Sequence, residues 1–277
     1  AVIIGSGVVF LDGSVVNLAL PKMATVLHAD FSGQQWVIDG YLLTLSALIL
    51  LGGSLGDILG RKKVYMWGVV GFGLSSLLCA VSPNIELLVT ARLIQGVFGA
   101  LMVPGALAII DTDFEPDERG KAIGQWTAAT SGIIAAGPLI GGVILDTTSW
   151  RGIFLINIPL LILTIWLGQT SIKESRAEAK RRIDLVGASL AVLGLGGLTY
   201  GLIEGPSNKW ATLTIVTLVI GALSSVLFLW VEHRRRDPML PLRLFRSRNF
   251  SAANAAKFAM YGGLGGFFFI LTIYIKT

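Results

Sequence analysis

Charged side chains are scarce in this sequence, at 14% of its 277 residues, where a soluble globular domain has about 25%. Histidine and cysteine are scarcer still. Two histidines and the single Cys79 are too few for a structural zinc site and allow no internal disulfide. No Ser/His/Asp set and no HExxH motif is recognisable. These shortages exclude an ordinary water-soluble enzyme, and we expect neither catalysis nor a bound metal.

Long apolar runs are abundant instead. Hydrophobic residues make up 53% of the chain, and the mean hydropathy is +0.74. A membrane helix needs about 20 apolar residues, and the runs bounded by charges, proline or glycine predict nine spans. We place these spans at residues 2–20, 36–55, 64–82, 87–110, 121–144, 152–170, 185–203, 211–231 and 251–274. The expected fold class is an all-α, polytopic helix bundle in a lipid bilayer.

Two longer polar stretches divide the predicted spans into blocks. The blocks are a six-helix transmembrane bundle at 1–170, a cytoplasmic loop at 171–184, two extra transmembrane helices at 185–231, a basic cytoplasmic linker at 232–249, and the first helix of an incomplete C-terminal bundle at 250–277. Nine is an odd number of spans, and the last run stops at Lys276-Thr277. We therefore expect the chain to lack C-terminal helices of a longer protein.

The loop charges predict the orientation of the chain. If alternate loops lie on opposite sides of the membrane, sixteen Lys and Arg residues fall on one side and three, Lys22, Arg151 and Lys209, on the other. Cytoplasmic loops collect basic residues, so we expect a multi-pass protein of the cell membrane with a cytoplasmic N-terminus. The same loops account for the net charge of +5, and we expect no nucleic-acid partner.

Three ionisable residues fall well inside predicted spans, namely Asp12, Asp39 and Arg92. A charge at the bilayer centre costs about 2.5–3.5 kcal/mol on insertion scales, so such residues normally face a cavity or a partner. At 1.5 Å per residue, Asp12 would lie roughly 12 Å and Asp39 roughly 5 Å below the outer surface, with Arg92 between them. We expect a carboxylate partner for Arg92. Glu204, at the outer end of the seventh span, is expected to face solvent.

Each of the three buried residues has a structural and a functional interpretation. Asp12 is either satisfied by Ser14, Asn17 or a neighbouring helix, or it alternately binds a proton and attracts a cationic substrate. In the second case burial favours its neutral form and a nearby Arg92 its ionised form, so a conformational change switches its affinity for protons. Asp39 is either a solvated acid at the outer rim or a substrate contact. Arg92 is either a static partner or a coupling element.

The fifth span contains Gly137-Pro138 and Gly141-Gly142. Pro138 removes one hydrogen bond of the helix and is expected to kink it. The glycines allow a neighbouring helix to approach closely and to slide or rock. Such a segment occurs in membrane helices both for packing and for movement.

The loop after the second span contains a charge pair at helical spacing. Asp57 and Arg61 are four residues apart and can pair on one helical turn. Gly60 permits the tight reversal into the third span.

Five segments resemble, in this order along the chain, the signature motifs of the major facilitator superfamily and specifically of its fourteen-helix drug:proton antiporter branch. They are Leu11–Pro21 in the first span, Gly53–Lys63 in the loop between spans two and three, Arg92–Gly96 with Gly99-Ala100 in the fourth span, Gly137–Gly142 in the fifth, and Trp150-Arg151 with Phe154–Pro159 at the start of the sixth. The resemblance covers the whole chain.

This resemblance implies a secondary exporter that moves lipophilic, cationic drugs or metabolites outward in exchange for protons by alternating access. The proton gradient drives such a protein, so no cofactor is expected, and its partners are the lipid bilayer, protons and the substrates. Spans seven and eight would be an extra pair between two six-helix halves. The missing C-terminal helices would supply the rest of the binding site.

The resemblance also implies roles for individual residues. Proton coupling would fall to Asp12 and Arg92, and the substrate cavity would be lined by Asp12, Asn17, Asp39 and Gln95. A conformational latch would consist of Gly53, Asp57, Gly60 and Arg61, and the antiporter-motif helix would be marked by Gly137, Pro138, Gly141 and Gly142. Two positions depart from the motifs: Ile58 replaces a basic residue, which weakens the latch, and Ile133 replaces a glycine, which affects close packing of the fifth helix.

Other classes of function remain as alternatives. The chain is alternatively a non-transporting fragment of such an exporter, because the second half is needed to close a cavity. Substrate efflux by this chain, compared with efflux by a C-terminally extended form, separates the two. A passive channel is disfavoured because no ring of charges or carbonyl-lined filter is evident.

Overall fold

The computed structural model describes residues 1–176, 184–235, 238–260 and 263. Most of these residues are helical, and none of them lies in a β-strand. The helices are α1 (Val2–Leu27), α2 (Phe31–Leu59), α3 (Arg61–Val81), α4 (Ile85–Asp113), α5 (Pro116–Thr147), α6 (Gly152–Leu155), α7 (Asn157–Ser171), α8 (Leu185–Ser207) and α9 (Thr212–Arg234). A short 3-10 helix, Leu242–Arg246, and helical residues 248–260 follow.

Eight helical stretches in the described part of the chain are long and apolar enough to cross a membrane. They correspond in order to the first eight predicted spans, with α6 and α7 together forming the sixth, so the all-α polytopic fold is confirmed. The ninth predicted span, 251–274, is helical up to residue 260, and most of its remainder lies outside the described residues.

The first two helices extend several residues beyond the predicted spans. Helix α1 continues through Pro21 and ends before His28, which has a left-handed φ of 52°. Helix α2 begins at Phe31, where the Asp30 side chain accepts a hydrogen bond of 2.7 Å from the Gly33 amide. Apolar runs measure the length of chain in contact with lipid, whereas a helix continues into polar residues until a capping residue ends it.

Glycines bring α2 and α4 into close contact. A methyl group on Gly52 would overlap the Ala100 carbonyl oxygen, and one on Gly96 would overlap the Tyr41 carbonyl oxygen. Small residues of this kind let membrane helices pack backbone against backbone. The interface between α2 and α4 therefore depends on the absence of side chains at these two positions.

The sixth span is interrupted near its start. Helix α6 is a single turn that ends at Leu155, and α7 begins at Asn157. Pro159 has no amide hydrogen to donate to the Leu155 carbonyl, so the regular helix hydrogen bond is missing there. The polar Asn157 side chain, two residues before this proline, is fully buried.

Helix α8 packs against α2 within the first of two compact units, Ala1–Leu229. At this contact Glu204 accepts a hydrogen bond of 2.5 Å from Ser32 Oγ and one of 2.8 Å from Trp36 Nε1. The expectation that Glu204 faces solvent is therefore wrong, because two donors on a distant helix meet its carboxylate. Residues 185–229 belong to the same compact unit as residues 1–170.

The second unit, Trp230–Thr277, has contacts of its own. The buried Glu232 accepts a hydrogen bond of 2.8 Å from the Leu240 amide. The Arg234 guanidinium lies 4.7 Å from the centre of the Trp230 ring. The predicted basic linker thus folds back on the end of α9.

Candidate functional site

Asp12 lies near the middle of α1 and is 1% exposed. Its Oδ2 atom accepts a hydrogen bond from Arg92 NH1 on α4. Its Oδ1 atom accepts one of 3.1 Å from Gln95 Nε2 on α4 and one of 2.9 Å from Asn157 Nδ2 on α7. All three partners are donors, which is the arrangement that an ionised carboxylate requires. Asp12 is the carboxylate partner expected for Arg92.

Arg92 is held by several groups in addition to Asp12. Its Nε donates a hydrogen bond of 2.9 Å to the Val37 carbonyl, and its NH1 donates one of 2.6 Å to Gln95 Oε1. The guanidinium carbon lies 4.1 Å from the centre of the Tyr41 ring, within the range of a cation–π interaction. Arg92 therefore stays charged and fixed in position, although it is only 1% exposed.

Amides and hydroxyls complete the cluster. Gln95 Nε2 also donates to Ser76 Oγ on α3 at 2.8 Å, and Asn157 Nδ2 donates to the same oxygen at 3.2 Å. Cys79, one turn further along α3, donates to Gln95 Oε1 at 3.7 Å. We call Asp12, Arg92, Gln95, Ser76 and Asn157 the carboxylate cluster.

Ser76 and Asn157 are not among the predicted site residues, because the cost of burial inside a span was applied only to charged residues. Asn157 was visible as an amide in an otherwise apolar stretch, two residues before Pro159. An unpaired amide in hydrocarbon costs several kcal/mol, so the criterion applied to charges also applies to amides. The partner of such a residue lies far away in sequence and needs the structure to identify it.

Asn17 and Ser14 do not satisfy Asp12. Asn17 is exposed and donates to the Gly13 carbonyl at 2.9 Å, while Ser14 donates to the Leu11 carbonyl at 2.9 Å. The Ser14 hydroxyl and the Asn17 amide therefore donate to backbone carbonyls of α1. Of the three structural partners considered for Asp12, the neighbouring helices are the ones that supply its hydrogen bonds.

Asp39 lies apart from the hydrogen bonds of the carboxylate cluster and is half-buried on α2. Because α2 begins at Phe31, Asp39 is about 12 Å along the helix axis from that end, at 1.5 Å per residue. The predicted depth of roughly 5 Å below the outer surface was counted from residue 36, five residues after the helix begins, and stays a prediction.

The predicted latch residues lie at the turn between α2 and α3. Arg61 donates to Asp57 Oδ1 from NH2 at 3.0 Å and from Nε at 3.2 Å, and its NH1 reaches the Ala108 carbonyl on α4 at 3.3 Å. Gly60 has a φ of 117°, in the region that favours glycine. Gly53 lies against Pro104 of α4, where an added methyl group would be 3.6 Å from its Cβ. The Asp57–Arg61 pair thus also links the turn between α2 and α3 to α4.

A second acid at this turn was not predicted. Glu174, in the stretch after α7, accepts hydrogen bonds from the Lys62 amide at 3.1 Å and the Lys63 amide at 3.2 Å. The Arg61 amide donates to the Ser175 carbonyl at 2.9 Å. The first turn of a helix has unpaired amides that a carboxylate stabilises. The chain after α7 therefore caps α3.

The antiporter-motif helix, α5, packs on α1 through two of its glycines. A methyl group on Gly137 would overlap Ser14 Oγ, and one on Gly141 would lie 2.8 Å from Val15 Cγ1. Pro138 lies inside α5, which continues to Thr147. Gly142 has no described atom within 4 Å of an added methyl group.

Ile133 packs against a glycine of the opposite helix. Its Cδ1 atom lies 2.5 Å from the position that a Cβ on Gly7 of α1 would take. The large side chain on α5 is thus accommodated by the missing side chain on α1. Close approach of the two helices is preserved with the glycine on the other partner.

Comparison with known proteins identifies the family. The sequence profile of the Major Facilitator Superfamily matches residues 2–277. The multidrug resistance protein Stp of Mycobacterium tuberculosis (strain CDC 1551 / Oshkosh) is 38% identical over 267 residues, which are 94% of this chain and 50% of that protein. The methylenomycin A resistance protein of Bacillus subtilis (strain 168) is 37% identical, over 96% of this chain and 57% of that protein.

Two further similarities agree with this result. The tetracenomycin C resistance and export protein of Streptomyces glaucescens is 34% identical, over 100% of this chain and 52% of that protein. A crystal structure of a peptide transporter, POT, in complex with sulfate has the same fold, with a TM-score of 0.62 at 13% identity over 85% of this chain and 52% of that one. The chain spans about half the length of these relatives. It belongs to the Major Facilitator Superfamily of membrane transporters.

Proposed function

We propose that this protein exports lipophilic, cationic compounds across the cell membrane in exchange for protons, by alternating access and without a cofactor. The relatives described above are resistance proteins, and one is an export protein by name. The basic loops favour a cytoplasmic N-terminus. The single observation that carries the proposal is the Asp12 carboxylate, which is buried in the middle of α1 and paired with Arg92.

The carboxylate cluster supports proton coupling for an electrostatic reason. An ion pair in a low-dielectric interior is balanced only while both charges are present. When Asp12 takes up a proton, Arg92 loses its counter-charge, and the arrangement described here is no longer the most stable one. A substrate cation and a proton therefore compete for one carboxylate, which is the requirement for exchange.

The other predicted residues have distinct places in this proposal. Asp39 is half-buried and its carboxylate attracts a cationic substrate from the outer side. Gln95 uses both ends of its amide in hydrogen bonds to Asp12 and Arg92, so it holds the coupling pair before it meets any substrate. The Asp57–Arg61 pair stabilises one of the alternating states by linking the turn between α2 and α3 to α4.

The test is transport of the lipophilic cation ethidium into everted membrane vesicles of cells that express the protein from its full reading frame. A proton gradient drives uptake into such vesicles, and Asp12→Asn is expected to reduce the rate to that of vesicles without the protein. Asp117→Asn is the matched control, because Asp117 is an exposed acid in the first turn of α5. Unchanged proton-driven transport by Asp12→Asn contradicts the proposal.

The preference for cations has a separate test. Asp39→Asn is expected to slow ethidium transport more than transport of an uncharged lipophilic dye, because only the cation uses the carboxylate. Equal effects on both dyes contradict a role of Asp39 in substrate charge recognition and leave proton coupling by Asp12 intact.

A further inference from the structure

The side-chain amide of Asn157 uses only one of its two ends. Asn157 is fully buried, and its Nδ2 donates to Asp12 Oδ1 at 2.9 Å and to Ser76 Oγ at 3.2 Å. Its Oδ1 accepts no hydrogen bond from any residue that the structure describes. A buried acceptor without a donor is rare and needs a physical explanation.

We propose that Asn157 is a positioning residue whose amide turns over when Asp12 takes up a proton, so that it donates to the ionised carboxylate and accepts from the protonated one. This inference rests on the proposed proton-coupling role of Asp12. The amide oxygen that has no partner in the ionised state is then the acceptor that the protonated state requires.

The Asn157 side chain makes two hydrogen bonds in each state of Asp12. An ionised Asp12 accepts only, and Asn157 Nδ2 and Gln95 Nε2 both donate to it. A proton bound at Oδ1 gives an O–H group that must donate. Half a turn of the Asn157 amide presents Oδ1 to this group, and the Ser76 hydroxyl, which accepts from the amide in the ionised state, donates to the same oxygen after the turn. Oδ2 of Asp12 still accepts from Arg92.

Gln95 is not able to make the same turn without loss. Its Oε1 accepts from Arg92 NH1 at 2.6 Å and from Cys79 Sγ at 3.7 Å. Reversing this amide would point its NH2 group at the guanidinium and remove two hydrogen bonds. Asn157 Oδ1 has no hydrogen bond to lose within the described residues, and the two bonds of its Nδ2 are replaced by two that Oδ1 accepts. The terminal torsion of Asn157 has a broad, roughly two-fold energy profile. When Asp12 takes up a proton, the amide that turns is therefore that of Asn157 on α7.

The titratable groups around Asp12 lie on three neighbouring helices. They are Arg92 on α4, Tyr41 on α2 and Cys79 on α3. Tyr41 donates its hydroxyl to the Val9 carbonyl at 3.0 Å, and Arg92 is a donor only. Cys79 donates its thiol to Gln95 Oε1, so all three groups act as donors here. Of the two amides that contact Asp12, only Asn157 has an oxygen without a donor among the described residues.

The experiment follows the amide and the carboxyl separately in the whole chain in lipid nanodiscs. Protein with ¹⁵N-labelled asparagine gives side-chain NH2 signals by nuclear magnetic resonance, and the Asn157 signal is the one lost in Asn157→Leu, or in Asn157→Ser if the leucine variant does not fold. Infrared spectroscopy records the protonated carboxyl band of Asp12, identified by its loss in Asp12→Asn.

On acidification we expect the Asn157 signal to shift together with the appearance of the Asp12 carboxyl band, and the shift to be absent in Asp12→Asn. Asn208→Leu is the matched control, because Asn208 is an exposed amide directly after α8, and it should leave both changes intact. If the carboxyl band appears while the Asn157 signal stays fixed, or if the signal shifts equally in Asp12→Asn, the inference is overturned and the proposed function stands. If no carboxyl band appears, proton binding by Asp12 is overturned together with the inference.

Discussion

Removing the arginine of the carboxylate cluster should destabilise the protein strongly. Arg92→Gln deletes the ion pair with Asp12, the 2.6 Å bond to Gln95 and the 2.9 Å bond to the Val37 carbonyl. Breaking a buried pair by removing one partner costs about 3–5 kcal/mol, because the remaining charge is uncompensated. We therefore expect a loss of stability of about 3–5 kcal/mol, at the upper end if the carbonyl stays unpaired.

The protein contains its own probe for this measurement. Cys79 is the single cysteine and is fully buried, so a thiol-reactive fluorophore labels it only when the bundle opens. The midpoint temperature of labelling should fall in Arg92→Gln. Asp12→Asn alone should also lower it, since Arg92 then carries an unpaired charge.

The double variant Asp12→Asn with Arg92→Gln distinguishes an ion pair from simple packing. It contains neither charge, so it should be more stable than the sum of the two single losses predicts, by about 1–3 kcal/mol of coupling. Losses that simply add in the double variant would refute the reasoning, because independent packing defects give no coupling.

Three further outcomes follow from contacts outside the cluster. Gly52→Ala should lower the free energy of unfolding by about 1–3 kcal/mol, because the added methyl group overlaps the Ala100 carbonyl. Gly142→Ala, whose methyl group meets no described atom, should leave it unchanged or raise it by up to about 1 kcal/mol. The midpoint temperature of Cys79 labelling compares the two variants. Glu174→Ala should cost about 0.5–1 kcal/mol by uncapping α3, measured in the same way, and no change there would contradict the cap. Glu204→Ala should raise the rate of amide hydrogen exchange at the end of α8, because its bonds to α2 are lost; unaltered exchange would show that the contact does not hold α8.

The sequence predicts the number and order of the first eight spans because each span must be apolar over its own length. It does not predict where helices end, since His28 and Asp30 act through local geometry beyond the apolar run. The charges of the candidate site, Asp12 and Arg92, stand out in apolar surroundings. The hydrogen bonds that Asn157 and Ser76 add to this site do not, because residues far apart in sequence meet only after the helices pack.

Two other features depend on contacts between distant residues for the same reason. The sequence places Glu204 near a span end, which favours solvent, and only the packing of α8 on α2 reveals its donors. Similarly, Ile133 departs from a glycine-containing motif, and the compensating Gly7 lies on another helix. A sequence motif therefore describes the residues of one helix. It does not show when a glycine on a neighbouring helix makes room for a larger side chain.

The cap on α3 has a mechanical consequence. Arg61 pairs with Asp57 through its side chain, and its amide is bonded to the Ser175 carbonyl. A rearrangement that moves the Arg61 backbone also displaces the segment that follows α7. A displacement of the chain after α7 is therefore transmitted directly to the turn between α2 and α3.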